Sequence, residues 1–547
     1  MKFDPILPKQ RVQAMLQQGY WGDEILVDHL DRCIAQAPDK TAIVGFNSVQ
    51  GVGRRLSYRE FGSLVERIAV GLAELGIEKN DVVSCQLPNW WQFAALAFAC
   101  WRIGAVINPM MPIFREREVK FMLDFAESKV FVVPREFRGF DHRAMVHGMR
   151  HQLPHLRHLL VVGGSGEESF ESVLVDTPWE TKRDAGRLFA ERRQSANDVV
   201  QLLYTSGTTG EPKGVMHTSN TLLSHLRQFT KRLGLTGQDV VLMSSPQAHQ
   251  TGFLYGLLMP VVLQAMAVLQ DVWDPRRAAE LIATEQASFT FASTPFLSDL
   301  TDTVGRGGCD VSSLRMFVAA GAPIPRVLVE RATTTLGAAI VSAWGMTENG
   351  AVTTTKLDDP EEKAFFTDGC ALPGMEIQVF GPDNKPLQAS EEGFLKVRGC
   401  SNFVGYLKRP QLYNHDDEGW FDTGDLARID ADGYVRITGR SKDIIIRGGE
   451  NIPVVEIEGL MFRHPAVQAV AIVGIPDPRL GERACAFVVP KAGQQLSFDQ
   501  MAQFLSDQKI ARQYLPERLE VVTELPMTPS GKVQKFKLRE IAKTFRV

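Results

Sequence analysis

Between residues 267 and 345, short runs of β-branched and aromatic residues alternate with stretches whose apolar positions recur at helical spacing. The runs 267–272, 288–293, 314–320 and 338–343 predict strands. The segments 275–286 and 325–336 predict helices, each with proline near its start, the second followed by Gly337. Such alternation builds a parallel α/β sheet, whose ligands lie beyond the carboxyl ends of the strands. Three of these strands run into 293–295, 320–323 and 344–348, so their tips are candidate site walls. After Gly374 the chain turns to short strands and Gly/Asp turns, as in 394–398 and 434–438, predicting a β-rich subdomain. A smaller α+β unit follows Val454, with helix 455–463, strands 467–473 and 484–489, helix 498–508 and strand 519–523. The polar junction 438–443 suits an interdomain hinge. The most apolar stretch, 252–269, is interrupted by Pro260, Gln264 and two glycines, and predicts a buried helix followed by a strand rather than a membrane span.

Length and composition change this picture little. At 547 residues the chain exceeds one compact core, so two or more domains are expected. Hydrophobic residues at 44% and charged residues at 23% are ordinary for a folded protein. Lys and Arg number 60 against 64 Asp and Glu, which gives no electrostatic footprint for nucleic acid. The seven cysteines are scattered without a CxxC pair, favouring a reducing, cytoplasmic setting and no zinc site. The first residues lack a basic segment followed by an apolar core, so no export is expected.

The strongest local signal is the run 204–215, which follows the apolar stretch 199–203. Its small residues Ser206, Gly207, Thr208 and Thr209 expose backbone N–H groups, Thr205 adds a hydroxyl, and Lys213 adds a positive charge. Together they suit a polyphosphate. A Walker A loop is excluded, because Pro212 stands where its second glycine is needed and Gly214 where its magnesium-binding hydroxyl belongs.

This run resembles the signature loop of the acyl-adenylate-forming superfamily, which comprises acyl-CoA synthetases, adenylation domains of peptide synthetases and firefly-type luciferases. Further motifs resemble that family in order along nearly the whole chain. Ala343-Trp344-Gly345-Met346-Thr347-Glu348 resembles its aromatic-Gly-x-Thr-Glu motif, with Trp344 where Tyr is commoner. The resemblance implies an adenine platform at Trp344, an α-phosphate donor at Thr347 and a Mg2+ ligand at Glu348. Gly321, Ala322 and Pro323, with Gly345 and Met346, complete the implied ATP site. Asp425, in 421–425, resembles the carboxylate that holds the ribose hydroxyls. Arg440 resembles the arginine that reaches ribose or phosphate. Lys442 matches the hinge about which the C-terminal domain swings. Gly448 and Gly449 resemble the lining of a pantetheine tunnel, where absent side chains leave room for a thiol; Arg447 is a candidate CoA phosphate contact. Lys532, in the Pro-Met-Thr-Pro-Ser-Gly-Lys segment 526–532, resembles the lysine that bridges the acid and the α-phosphate. The same segment fits a pattern acetylated in bacterial acyl-CoA synthetases, which implies a protein acetyltransferase and deacetylase as partners.

The fold expected is therefore α/β: a large N-terminal domain of layered α/β subdomains plus a β-rich subdomain, residues 1–441, and a smaller mobile α+β domain, residues 442–547. The resemblance implies an acid–CoA ligase that consumes ATP and coenzyme A with Mg2+. His249 matches a position bordering the acid pocket, whose other candidate lining residues are Phe253, Thr294, Ala319, Ala320, Gly321 and Ala343. None of these others is charged, so the acid should be apolar beyond its carboxylate. Chain texture is most similar to cyclohexanecarboxylate and medium-chain acyl-CoA ligases. Benzoate-type ligases, carrier-protein-loading enzymes, luciferase-type oxygenases and non-catalytic nucleotide binders are the alternatives; keeping both Glu348 and Lys532 argues against the last.

Overall fold

The computed structural model describes residues 1–545 except 50, 206–211, 322–323, 442–444, 448–449, 478, 509, 511–513 and 529–531. Among the described residues, nine strands form the largest sheet. Its centre is parallel, running Thr41–Asn47, Met266–Gln270, Val240–Met243, Phe289–Ser293, Met316–Ala320 and Ala339–Met346, with antiparallel strands at both edges. The strands expected between 267 and 343 all belong to it, and Pro275–Glu285 and Arg326–Leu336 are the intervening helices. The last strand runs on to Met346 because Gly350–Thr354 folds back against it.

A second, six-stranded sheet ends in the antiparallel pair Val199–Thr205 and Lys213–Thr218. Between the two sheets lies the helix Trp91–Arg102, buried on every face as far as Trp101 and correspondingly apolar all round. Phe98 packs edge-on to Trp101, which packs edge-on to Phe253 at 6.0 Å. The indole N–H of Trp101 donates to the Val200 carbonyl at 2.9 Å, fixing this core to the strand that enters the phosphate run.

The β-rich part is a four-stranded antiparallel meander, Met375–Phe380, Gly393–Gly399, Phe421–Ile429 and Val435–Arg440. Another sheet draws all its strands from residues after 444, with helices Val454–Met461, Phe498–Asp507 and Lys535–Ala542 around it. The molecule is thus α/β with a large N-terminal and a small C-terminal domain. The apolar stretch 252–269 forms a π-helical turn, Gly252–Leu258, the helix Met259–Leu263, and then the strand Met266–Gln270. No helix among the described residues is long and apolar enough to cross a membrane.

Candidate active site

The phosphate run spans a hairpin. Thr205 pairs with Lys213 where its two strands meet the connecting loop. Ser206, Gly207, Thr208 and Thr209 lie outside the described residues. The ammonium of Lys213 stands 5.1 Å from the centre of the Tyr406 ring. Tyr406 reaches this place because residues 404–407 continue the sheet beyond Lys213–Thr218: Val404 N–H donates to Met216 O, Met216 N–H to Gly405 O, and Leu407 N–H to Gly214 O.

The Tyr406 hydroxyl donates to Glu348 Oε1 at 2.8 Å. Glu348 is buried, and burial pushes its pKa up against the opposing pull of Tyr406, Arg440 and Lys213. Its motif is a tight turn in which the Met346 N–H donates to Asn349 Oδ1. His217 Nε2 donates to the Thr347 carbonyl at 2.8 Å, and His217 Nδ1 lies 3.0 Å from the Thr221 hydroxyl. Burial holds His217 down to about 4, so the ring is neutral with its proton on Nε2.

No group of three or more His, Cys, Asp or Glu side chains among the described residues could cage a metal. A magnesium ion suits this chemistry differently, because it commonly takes one carboxylate and completes its shell with water and substrate phosphates. Glu348 fits, since a buried carboxylate whose charge is opposed by burial gains from a nearby cation. The ion would supply positive charge to phosphate oxygens bound beside it.

Trp344, Asp425 and Arg440 come together from three motifs. Antiparallel register sets Asp425 opposite Arg440, whose Nε donates to Asp425 Oδ1 at 2.8 Å. The Trp344 indole N–H donates to Asp425 Oδ2 at 3.0 Å. Tryptophan in place of tyrosine therefore supplies a hydrogen bond as well as an aromatic face. Trp344 itself is 9% exposed.

Strand register builds a second wall. Ser293 pairs with Ala320, and Ala319 with Ser342, so Thr294, Ala320, Gly321 and Ala343 stand in a rank at adjacent strand tips. Gly321 adopts φ +85°, which favours glycine at this turn, while Ala322 and Pro323 lie outside the described residues. His249 comes from the loop after Val240–Met243. A Cβ on Gly252 would stand 2.1 Å from the Pro246 carbonyl oxygen, so only glycine permits the tight return that carries His249. The Thr251 N–H donates to His249 Nδ1 at 3.3 Å. Burial, and then the charge of Lys532, hold His249 down to about 4. Phe253 is fully buried in the core, edge-on to Trp101.

Lys532 belongs to a hydrogen-bonded turn. Thr528 N–H donates to the Lys532 carbonyl at 2.7 Å, Lys532 N–H to Thr528 Oγ1 at 2.9 Å, and Gln534 N–H to the Pro526 carbonyl. The side chain is exposed, and its charge reaches His249. Arg447 makes a two-point pair with Glu517, at 2.8 and 3.1 Å. Lys442, Gly448 and Gly449 lie outside the described residues. Sequence reasoning missed Tyr406 and His217. Their roles arise from bonds to residues far along the chain, which no local pattern announces.

Comparison with known proteins supplies the context. AMP-binding enzymes match residues 30–407, and the AMP-binding enzyme C-terminal domain matches residues 456–532. The medium-chain fatty-acid–CoA ligase of Escherichia coli (strain K12) is 36% identical, over 99% of this chain and 94% of that protein. The 2,3-dihydroxybenzoate-AMP ligase of Bacillus subtilis (strain 168) is 31% identical, over 97% of this chain and 96% of that protein. In fold, the chain is similar to the anthranilate CoA ligase AuaEII in complex with anthranoyl-AMP. The TM-score is 0.83 at 24% identity, covering 95% of this chain and 98% of that one.

Proposed function

The chain belongs to the AMP-binding enzyme family, and on that premise we propose that it is an ATP-dependent, AMP-forming acid–CoA ligase acting on an apolar alicyclic or medium-chain acid such as cyclohexanecarboxylate. The observation that supports this reading is the gathering of Trp344, Asp425 and Arg440 by hydrogen bonds, near the buried Tyr406–Glu348 pair of the same motif, with the charge of Lys532 felt at His249. Carboxylate attack on the α-phosphorus brings two anions together. A lysine bridging them relieves that repulsion most in the transition state. The attack forms the acyl–phosphate bond and breaks the bond to pyrophosphate. Glu348 would hold a magnesium ion that neutralises phosphate charge, Thr347 donates to the α-phosphate, and Lys213 with residues 205–209 cradles the departing phosphates. Asp425 and Arg440 hold the ribose. Gly321, Ala322, Pro323, Gly345 and Met346 border the nucleotide beside Trp344.

In the second step the CoA sulfur attacks the acyl carbonyl and AMP leaves. We assign residues 1–441 and 442–547 as the two moving bodies, with Lys442 as hinge. Rotation withdraws Lys532 and brings Gly448 and Gly449 to the thiol path, with Arg447 toward CoA phosphate. Acetylation of Lys532 would remove the bridging charge and stop the first step.

The acid assignment rests on the small, uncharged rank Thr294, Ala320 and Ala343, and on the likeness to a medium-chain fatty-acid ligase. A benzoate-type acid is the second reading, favoured by the aryl-acid ligase among the relatives; loading of a carrier protein is the other. The test measures pyrophosphate and AMP release with octanoate, cyclohexanecarboxylate and benzoate, with and without CoA. CoA-dependent AMP release, fastest with the first two acids, is expected. Release with no acid would sink the ligase reading, and fastest release with benzoate the choice of acid. Lys532→Ala should slow adenylate formation about a hundredfold or more, yet leave thioester formation from supplied acyl-adenylate nearly intact.

A further inference from the structure

From Gly399, the last residue of the strand Gly393–Gly399, residues 399–404 run as a strip, irregular after its first residue, between the β-rich meander and the phosphate hairpin. One edge of the strip is bound to the site. Phe403 N–H donates to the Glu348 carbonyl at 2.7 Å, and Ser401 Oγ donates to the Asn349 carbonyl at 2.8 Å. Val404 N–H donates to Met216 O, and two residues on Tyr406 holds the Glu348 carboxylate. The strip therefore fixes both the main chain and the side chain of Glu348.

Its other edge is held by the N-terminal segment. Arg11, on the helix Lys9–Gln17, donates through one terminal nitrogen to the Phe403 carbonyl and the Tyr413 hydroxyl, both at 3.2 Å. Through the other it donates to the Gly399 carbonyl at 3.4 Å and to the Asn402 carbonyl. The Trp21 indole N–H donates to the Cys400 carbonyl at 2.9 Å, and Ile6 N–H to the Val404 carbonyl at 2.6 Å. The Arg11 guanidinium lies 5.1 Å from the centre of the Trp21 ring. An irregular run needs such donors, because no sheet or helix serves its carbonyls. Guanidinium suits the task, since its planar fork presents several N–H groups at once. Arg11 and Glu348 are thus separated by the single residue Phe403, whose carbonyl accepts from one while its amide donates to the other.

We propose that Arg11 is a positioning residue for Glu348: it clamps the 399–404 strip so that Tyr406 and the Phe403 amide hold that carboxylate in the place adenylate formation requires. The proposal rests on the ligase reading given above, and it assigns to the N-terminal helix a part in the first half-reaction only. Thioester formation does not use the pyrophosphate-side cation, so it does not need Glu348 held.

The experiment compares the wild-type enzyme, Arg11→Ala and Arg11→Lys. Each is assayed for acid-dependent pyrophosphate release across a magnesium titration, and separately for thioester formation from supplied acyl-adenylate. The acid is whichever of octanoate, cyclohexanecarboxylate and benzoate the wild type uses fastest. Expected for Arg11→Ala are an adenylation rate lowered by about tenfold or more and a half-saturating magnesium concentration raised, with thioester formation changed by less than about twofold. Arg11→Lys, keeping charge and some donors, should recover part of the adenylation loss and of the magnesium shift. Equal loss of both half-reactions, or loss with an unchanged magnesium dependence, would show mere structural damage and overturn the proposal. If Arg11→Ala does not fold, Arg11→Lys decides: a normal adenylation rate and magnesium dependence overturn the proposal, and a selective first-step defect supports it. A wild type that releases no pyrophosphate with any acid defeats the ligase reading itself, whereas a wild-type-like Arg11→Ala defeats only the clamp.

Discussion

At the scale of single residues, the charge of Lys532 is felt at His249, which links the C-terminal turn to the loop after Val240–Met243. His249 Nδ1 accepts the Thr251 N–H, so the neutral ring carries its proton on Nε2. Burial is the larger cause of the low His249 pKa, and Lys532 the second. Lys532→Ala should therefore move the His249 titration up from about 4 while leaving it below 6.5, as read by NMR of labelled histidine. An unmoved titration would mean that the two side chains do not meet in solution. Motif order singled out Lys532, Glu348 and Asp425 as candidates, and the fold places Asp425 against Trp344 and Arg440. Arg11, His217 and Tyr406 were not legible, because each acts through hydrogen bonds to residues far along the chain, and a single arginine, histidine or tyrosine carries no periodic signal. Trp344 was half legible: its aromatic face followed from the motif, its bond to Asp425 from the folding of the β-rich meander.

At the scale of elements, the turn that presents Lys532 is braced by a buried ion pair. Glu458, on Val454–Met461, accepts from the Ile472 N–H and from Lys535 Nζ, both at 2.7 Å. Lys535 opens the helix Lys535–Ala542, three residues beyond Lys532, so this pair fixes where the turn begins its return. Removing one partner of a buried pair strands the other. Glu458→Gln should lower the stability of this sheet and its helices by about 2–4 kcal/mol, reduced from the fully buried case because Lys535 is 18% exposed. It should also slow adenylation. Hydrogen exchange checks the location: protection should fall across 526–542 and stay unchanged across 199–218, whereas uniform loss would refute a local brace. The helix 455–463 was read from periodicity, yet a buried glutamate on it was not, since its partner comes from a different helix. Strand boundaries failed for a similar reason. The strand expected to stop at Ala343 continues to Met346 because Gly350–Thr354 pairs with it, and pairing is a property of two segments.

At the scale of the whole molecule, the two sheets clasp a helix that is apolar on all sides, and several histidines are sealed neutral in and around that packing. Burial holds His217 and His29 down to about 4, and His225 to about 3. Each binds a proton near pH 6.5 in the unfolded chain but only near pH 3–4 in the folded one. The unfolded state therefore takes up more protons as pH falls through that window, and stability declines with it. Above about pH 6.5 both states are neutral at these sites and the contribution is complete. For the fully enclosed pair His217 and His225, the loss at pH 5 is about 2 kcal/mol each. Carboxylates whose pKa values folding depresses act lower, below their unfolded pKa near 4, so the interval from pH 6.5 to 4.5 belongs to the histidines. Denaturant unfolding should give a plateau above pH 7 and a steep fall across that interval. Replacing His217 with glutamine, which can still donate to the Thr347 carbonyl but does not titrate, should flatten part of the slope. Stability that stays level down to pH 5 would show that these rings titrate normally and that the packing around them admits water.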